Sequence, residues 1–347
     1  MTDPERKKSY LSMFEKISEN RSEGGKNGHA YPGLGGGHLE EKQEENPLEE
    51  ESPYILTDEV DHQILMHRDA HFGGDFMVML KYYQDESHVG VLPDIDYDRI
   101  SYLAEVEKKM GKDLAPLLLT GAEAELVGKA RQAYSQLKEI YAIEDEKTFF
   151  PRLIADLILS EEEEPEEEIE RVVSQGTRIV PDLLNLLKSD DFFHPLFPGY
   201  GYAPYLAILC LGKIGDQSAL IPIFETLSRP IVFDEMIVVE ALAALGAPAK
   251  RFLLKILKGR PMTQDTINAA FALIAFSDDP EVAITCFEQL QDPAVQEKPL
   301  LRTYLLSSYP ALQGTSYQEA FINMANDPKT PADLRSDMQQ ILKEWSS

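Results

Sequence analysis

Apolar residues recur at helical spacing almost without interruption from about residue 98 onward, the pattern of amphipathic helices that each bury one face. The clearest stretch is Leu211-Gly-Lys-Ile-Gly215-Asp-Gln-Ser-Ala-Leu-Ile-Pro-Ile-Phe-Glu-Thr-Leu227. It predicts an apolar helix, a tight Gly215-Asp216 turn and a second, amphipathic helix. Before residue 98 the pattern is less regular. Thr57 is placed to cap a helix running to about Phe72, and Asp75 to cap another through Tyr83 after the Gly73-Gly74 break. Val89 to Ile95 reads as a loop or short extended piece. Residues 54–97 are therefore expected to form a divergent helical cap on an array covering 98–347. Residues 1–53 show little periodicity beyond Leu11, Phe14 and Ile17, which would suit a short docking helix. They hold seven of the chain's 21 glycines and Glu-rich stretches at 40–45 and 49–51, a composition that predicts a disordered tail. No strand precedes the glycines and no Gly-Lys-Ser/Thr ends them, so they are a linker rather than a phosphate loop.

The helix–turn–helix unit repeats. Thirty-one residues after Gly215 comes Gly246, in Leu242-Ala-Ala-Leu-Gly246-Ala-Pro-Ala-Lys-Arg-Phe-Leu-Leu-Lys-Ile-Leu257. The next two steps of 31 reach Ser277 and Ser308, while Gly176 lies 39 residues before Gly215, which implies about eight inserted residues. Earlier units share a second signature. Pro151-Arg-Leu-Ile-Ala-Asp-Leu157 matches Pro181-Asp-Leu-Leu-Asn-Leu-Leu187, and Gly111 to Pro116 has the spacing of Gly176 to Pro181. Proline suits a first helical turn and glycine the left-handed residue that ends the preceding helix.

These units resemble the HEAT-like repeat family, particularly the short bacterial units first noted in phycobilin lyases. The residues carrying the likeness are Leu211, Gly212, Ile214, Gly215, Asp216, Ala219, Pro222 and Leu227. The resemblance covers about residues 98–347, some seven helix pairs with a closing helix near 330–345. It implies an all-α fold, a right-handed α-solenoid in which each pair buries its apolar face on its neighbours, with second helices lining the concave surface. The shared repeat is a scaffold and not a site, so it implies no lyase activity. Deoxyhypusine hydroxylase, an enzyme built on such arrays, binds iron through His-Glu dipeptides. Here the seven histidines are followed by Ala30, Leu39, Gln63, Arg68, Phe72, Val89 and Pro195, so that activity does not carry over.

Charge narrows the partners. Asp and Glu number 60 against 33 Lys and Arg, a formal net charge of −27. Residues 1–53, 54–150 and 151–347 carry −5, −9 and −13, so no basic domain hides behind an acidic tail. Nucleic acid and anionic membrane surfaces, both of which need clustered cations, are not expected partners; nor is the basic groove of HEAT-like DNA glycosylases. Cys210 and Cys286, in apolar helical stretches, read as buried thiols rather than a disulfide framework. Neither a signal peptide nor an apolar run of transmembrane length is apparent, and a cytoplasmic location is expected.

Four features offer chemistry. His62, His67, His71 and His88 lie within 27 residues among several aspartates. His67 and His71 have the i,i+4 spacing of a helical metal site, with Asp75 or His88 to complete it. They also extend the Val60–Ile64 stripe, however, and no Glu follows His67 as a metalloprotease motif requires, so packed histidines without metal are expected. The run Glu161–Glu168 suits recruitment of a basic partner, loose binding of divalent cations or a solvated acidic helix start, with Ser160 as cap and Pro165 in the first turn. The insertion at 190–205 gathers Phe192, Phe193, Phe197, Tyr200, Tyr202 and Tyr205 with three prolines. It would serve as rigid contact area for a partner or fold back to cover the seam between repeats. Finally, Lys250, Arg251, Lys255, Lys258 and Arg260 form a basic cluster, in which Arg251, Lys255 and Lys258 share one helix face. Such a face fits an acidic peptide or phosphate, or merely cations near a helix C-terminus.

The sequence thus predicts a non-catalytic scaffold or adaptor. It would bind a protein partner, one with an acidic segment, through Phe192, Phe193, Phe197, Tyr200, Tyr202, Arg251, Lys255 and Lys258, with no cofactor. The alternative is a metal-dependent enzyme using His62, His67, His71 and His88.

Overall fold

A computed structural model describes residues 59–346 except 86, 144–147, 161 and 163. The expected tail at 1–53, the short helix near Leu11–Ile17 and the Thr57 cap lie outside the described residues. Among the described residues every regular element is helical. The chain divides into two compact units.

The first unit comprises the described residues through 143 together with 162 and 189–200. Its helices are α1 (Glu59–His71), α2 (Phe76–Tyr82), α3 (Tyr97–Met110), α4 (Ala115–Leu118) and α5 (Gly121–Ala142). Local signals set the breaks. The Asp75 carboxylate caps α2 by accepting from the Met77 N–H, and Asp96 caps α3 in the same way from Asp98. Thr120 and Glu123 close a capping box at the start of α5. The connection at 89–95 is irregular, as its pattern predicts. α1 packs on α3, α4 and α5, and α2 packs on α3. One core joins Ile64 and Leu65 to Phe76, Met79, Ile100 and Leu103. The boundary expected at 97–98 falls inside this unit, at the start of α3.

α1 also carries charge inward. Arg68 is 0% exposed. Its guanidinium donates to Asp69, Glu107 and Asp113 at 2.9, 2.6 and 2.7 Å and lies 4.5 Å from the centre of the Phe76 ring. Asp61, also fully buried, receives two bonds of 2.7 Å from Arg99. Burial opposes a charged guanidinium at Arg68, but the three carboxylates outweigh it and raise its pKa.

The second unit comprises the described residues of 148–160, 164–188 and 201–346. Its helices are α6 (Phe149–Ile158), α7 (Glu166–Val173), α8 (Val180–Lys188), α9 (Ala203–Ile214), α10 (Leu220–Glu225), α11 (Met236–Ala244), α12 (Ala247–Leu257), α13 (Gln264–Ala272), α14 (Pro280–Leu290), α15 (Pro293–Gln296), α16 (Pro299–Leu306), α17 (Gln318–Asn326) and α18 (Ala332–Ser346). The 31-residue step is physical. Gly215, Gly246, Ser277 and Ser308 all fall in the turn between the two helices of a pair, as does Gly176. Gly215 ends α9 at φ +73°, a conformation that favours glycine, and the Asp216 carboxylate then accepts from the Ser218 N–H to start the next turn.

Successive pairs stack in register. First helices pack on first helices, α7 on α9, α9 on α11, α11 on α13 and α13 on α16. Second helices do the same, α8 on α10 and α12 on α14, and ring contacts join α10 to α12 (Phe224–Phe252, 5.4 Å) and α14 to α17 (Phe287–Phe321, 5.7 Å). α18 closes the series against α17. The arrangement is that of a helical repeat: each pair leaves an apolar face that the next one covers.

Candidate functional site

α12 forms because Pro248 sits in its first turn and Ala249, Leu253, Leu254 and Leu257 point into the stack. The opposite face carries Arg251, Lys255 and Lys258, all exposed. At 1.5 Å rise per residue these cations span about 10 Å along one side of the helix. None has an ion pair or side-chain hydrogen bond among the described residues. Their neighbours in the basic cluster behave differently. Lys250 bridges to Asp279 (2.7 Å) and Glu281 (2.9 Å) on α14, and Arg260 holds Gln289 (2.8 Å) and Asp292 (3.0 Å). The cluster therefore divides into two residues that strap α12 to α14 and three that face outward uncompensated.

The aromatic insertion is placed differently from the binding surface expected of it. Residues 189–200 belong to the first unit, whereas the α12 cations belong to the second. Phe192, Phe193, Phe197 and Tyr200 are buried and Tyr202 is half-buried. Leu196 and Phe197 pack with Ala70, Val127, Ala130 and Ala133, small α1 and α5 side chains that leave room for them. Tyr200 adopts φ +53° between Gly199 and Gly201, both also at positive φ, and its ring stacks on His71 at 4.3 Å. These residues form core rather than exposed anchors. Of the two readings of the insertion, folding back is the one that matches their burial.

The histidines separate. His62 meets Glu123 at 3.0 Å and His88 stacks on Tyr82 at 4.5 Å. His67 and His71 are neighbours, with ring centroids 4.6 Å apart. The His67 Nε2–H donates to the Gly90 carbonyl (3.0 Å), leaving a buried Nδ1 without a hydrogen-bond partner. The His71 Nε2–H donates to the Pro195 carbonyl (3.1 Å), so Nδ1 accepts from the Tyr134 hydroxyl (2.7 Å). Burial lowers the His67 pKa to about 4, and burial with the nearby His67 lowers that of His71 well below its ordinary value. Among the described residues no group of three or more His, Cys, Asp or Glu is arranged to hold a metal ion. Spacing alone did not reveal that the His62, His67 and His71 rings are already engaged by partners 23 to 124 residues away.

In the acidic run, Glu166, Glu167 and Glu168 form the first turn of α7 directly after Pro165, while Glu161 and Glu163 lie outside the described residues. The Ser160 hydroxyl turns back to the Leu157 carbonyl instead of capping α7. Cys210 and Cys286 are buried, and burial pushes both thiols up to about 12, which leaves them protonated and unreactive at neutral pH.

The second unit also holds a cleft of about 460 Å³ between the C-terminal parts of α14 and α17. Phe287 and Met324 line it with Gln291, Asn323, Asp327 and Lys329. The sequence offered no motif for it, because its residues come from α14, α15 and α17 and the loops between and after them.

No protein-family model matches the chain, and no characterised protein does. Among the described residues no helix is long and apolar enough to cross a membrane.

Proposed function

We propose that the chain is a non-catalytic helical-repeat scaffold that docks a protein partner on the second helices of its second unit. An acidic segment of that partner would sit on Arg251, Lys255 and Lys258. The observation that carries the reading is the uncompensated α12 face. In a chain with 27 more acids than bases, three exposed cations on one helix face make a local concentration of positive charge. Elsewhere in the unit Arg171, Lys250, Arg260 and Arg302 reach carboxylates, while Lys188, Lys213 and Lys298 are exposed without an ion pair among the described residues but stand singly. The HEAT-like resemblance supports the same surface, since second helices line the groove of such solenoids. A right-handed superhelix and a cytoplasmic setting belong to this proposal too.

Fluorescence anisotropy with a labelled hexaglutamate peptide tests it. The intact protein should bind it, and binding should weaken with salt, because exposed pairs are screened within about 8 Å at physiological ionic strength. Reversing the face with R251E/K255E/K258E should weaken binding at least about tenfold, given roughly 0.2–1 kcal/mol per exposed pair and added repulsion. Thermal unfolding should hardly move. Equal binding by the folded variant contradicts the proposal.

A further inference from the structure

We propose that the cleft between α14 and α17 receives the main chain of the same partner segment, as an extended peptide whose acidic end lies on α12. The inference rests on the α12 reading and adds to it what the rest of the segment is.

The cleft's chemistry selects such a ligand. The side chains of Gln291, just past α14, and Asn323, on α17, are both exposed and make no hydrogen bond among the described residues. A side-chain amide both donates and accepts, the pairing that a peptide unit offers. Two amides lining one cleft can therefore hold a main chain without selecting its side chains. Phe287 and Met324 provide an apolar floor for one side chain, with methionine adapting to its shape. The Lys329 ammonium, which also lines the cleft, has no ion pair among the described residues, while the Asp327 carboxylate already accepts the Lys329 backbone N–H. A small apolar molecule would leave both amides and the ammonium unanswered.

The cleft also lies near the C-terminal end of α12. Arg260, two residues beyond Lys258, bonds Gln289 and Asp292, which bracket Gln291. Lys250 fixes the other ends of α12 and α14 through Asp279 and Glu281. Packed helices lie about 8–10 Å apart, and an extended chain advances about 3.3 Å per residue. About three residues therefore lead from α12 to α14, and about six reach α17.

The probe follows from these lengths: a labelled nine-residue peptide, Glu-Glu-Glu-Ser-Gly-Ser-Leu-Ala-Ser. Its affinity for the full chain is compared with that for Q291A/N323A and for R251E/K255E/K258E, and the Met324 methyl signal is followed by NMR. The inference predicts that Q291A/N323A loses about tenfold or more in affinity, and that the loss persists at high salt. It predicts a shifted Met324 methyl, and weaker binding when the peptide leucine is replaced by serine. Unchanged affinity in Q291A/N323A together with an unmoved Met324 methyl overturns it, even if charge reversal on α12 still abolishes binding. If charge reversal has no effect while the cleft variant fails, the α12 reading falls and the inference with it, since no acidic end is then held there. Failure of the intact chain to bind the probe overturns both.

Discussion

His67 and His71 show how a single residue type sets the pH behaviour of the first unit. Both are neutral in the fold, because burial opposes an imidazolium and no carboxylate is among their hydrogen-bond partners. The unfolded chain takes up these protons near the ordinary value of 6.5, whereas folded His67 resists until about 4. Below pH 6.5 the unfolded state therefore binds more protons, and stability falls with pH until the folded pKa is reached. His67 alone accounts for roughly 3 kcal/mol across that window, at about 1.4 kcal/mol per pKa unit. Denaturant unfolding between pH 7.5 and 4.5 should show the decline. His67→Gln should be less stable at pH 7.5 but lose less on acidification. A flat profile in the unaltered chain would contradict the neutral buried pair. Asp113 and Asp279, held low by Arg68 and Lys250 against the effect of their own burial, add their losses only at more acidic pH.

At the scale of elements, Gly212 links the repeat signature to packing. It lies on α9 where α11 crosses, and a β-carbon there would meet the Cα and Cβ of Ala241 at 3.0 Å. Gly212→Ala should separate the two first helices by a few tenths of an ångström. The expected cost is about 1–3 kcal/mol, and Gly212→Val should cost more; thermal melts of the two variants check the order. This part of the fold was legible beforehand. Leu211, Gly215 and Asp216 announce helix and turn within a few residues, while the close approach at Gly212 and the Asp216 cap came from the structure. The destination of residues 189–200 was not. Phe197 and Tyr200 look like contact aromatics in the sequence, but Ala130, Ala133 and His71, 60 or more residues away, provide the space and the ring that bury them. Likewise the Arg68 network places charge in register with Ile64 and Leu65 on α1, and only tertiary contact reveals its three carboxylates.

For the molecule as a whole, charge is the organising fact. A net charge of −27 repels acidic ligands at long range, so an acidic segment is held only by a local patch acting inside the screening length. Arg251, Lys255 and Lys258 were visible as such a patch from their spacing. Their separation from Lys250 and Arg260, which strap α12 to α14, needed the structure. The most direct measurement is a lysine-reactivity footprint. The protein is treated with an amine-acylating reagent with and without the hexaglutamate peptide, and modification is read by mass spectrometry. Lys255 and Lys258 should be protected several-fold, while the equally exposed Lys108 and Lys112 of the first unit keep their reactivity. Uniform reactivity, or protection spread evenly over all four lysines, would contradict a docking face on α12.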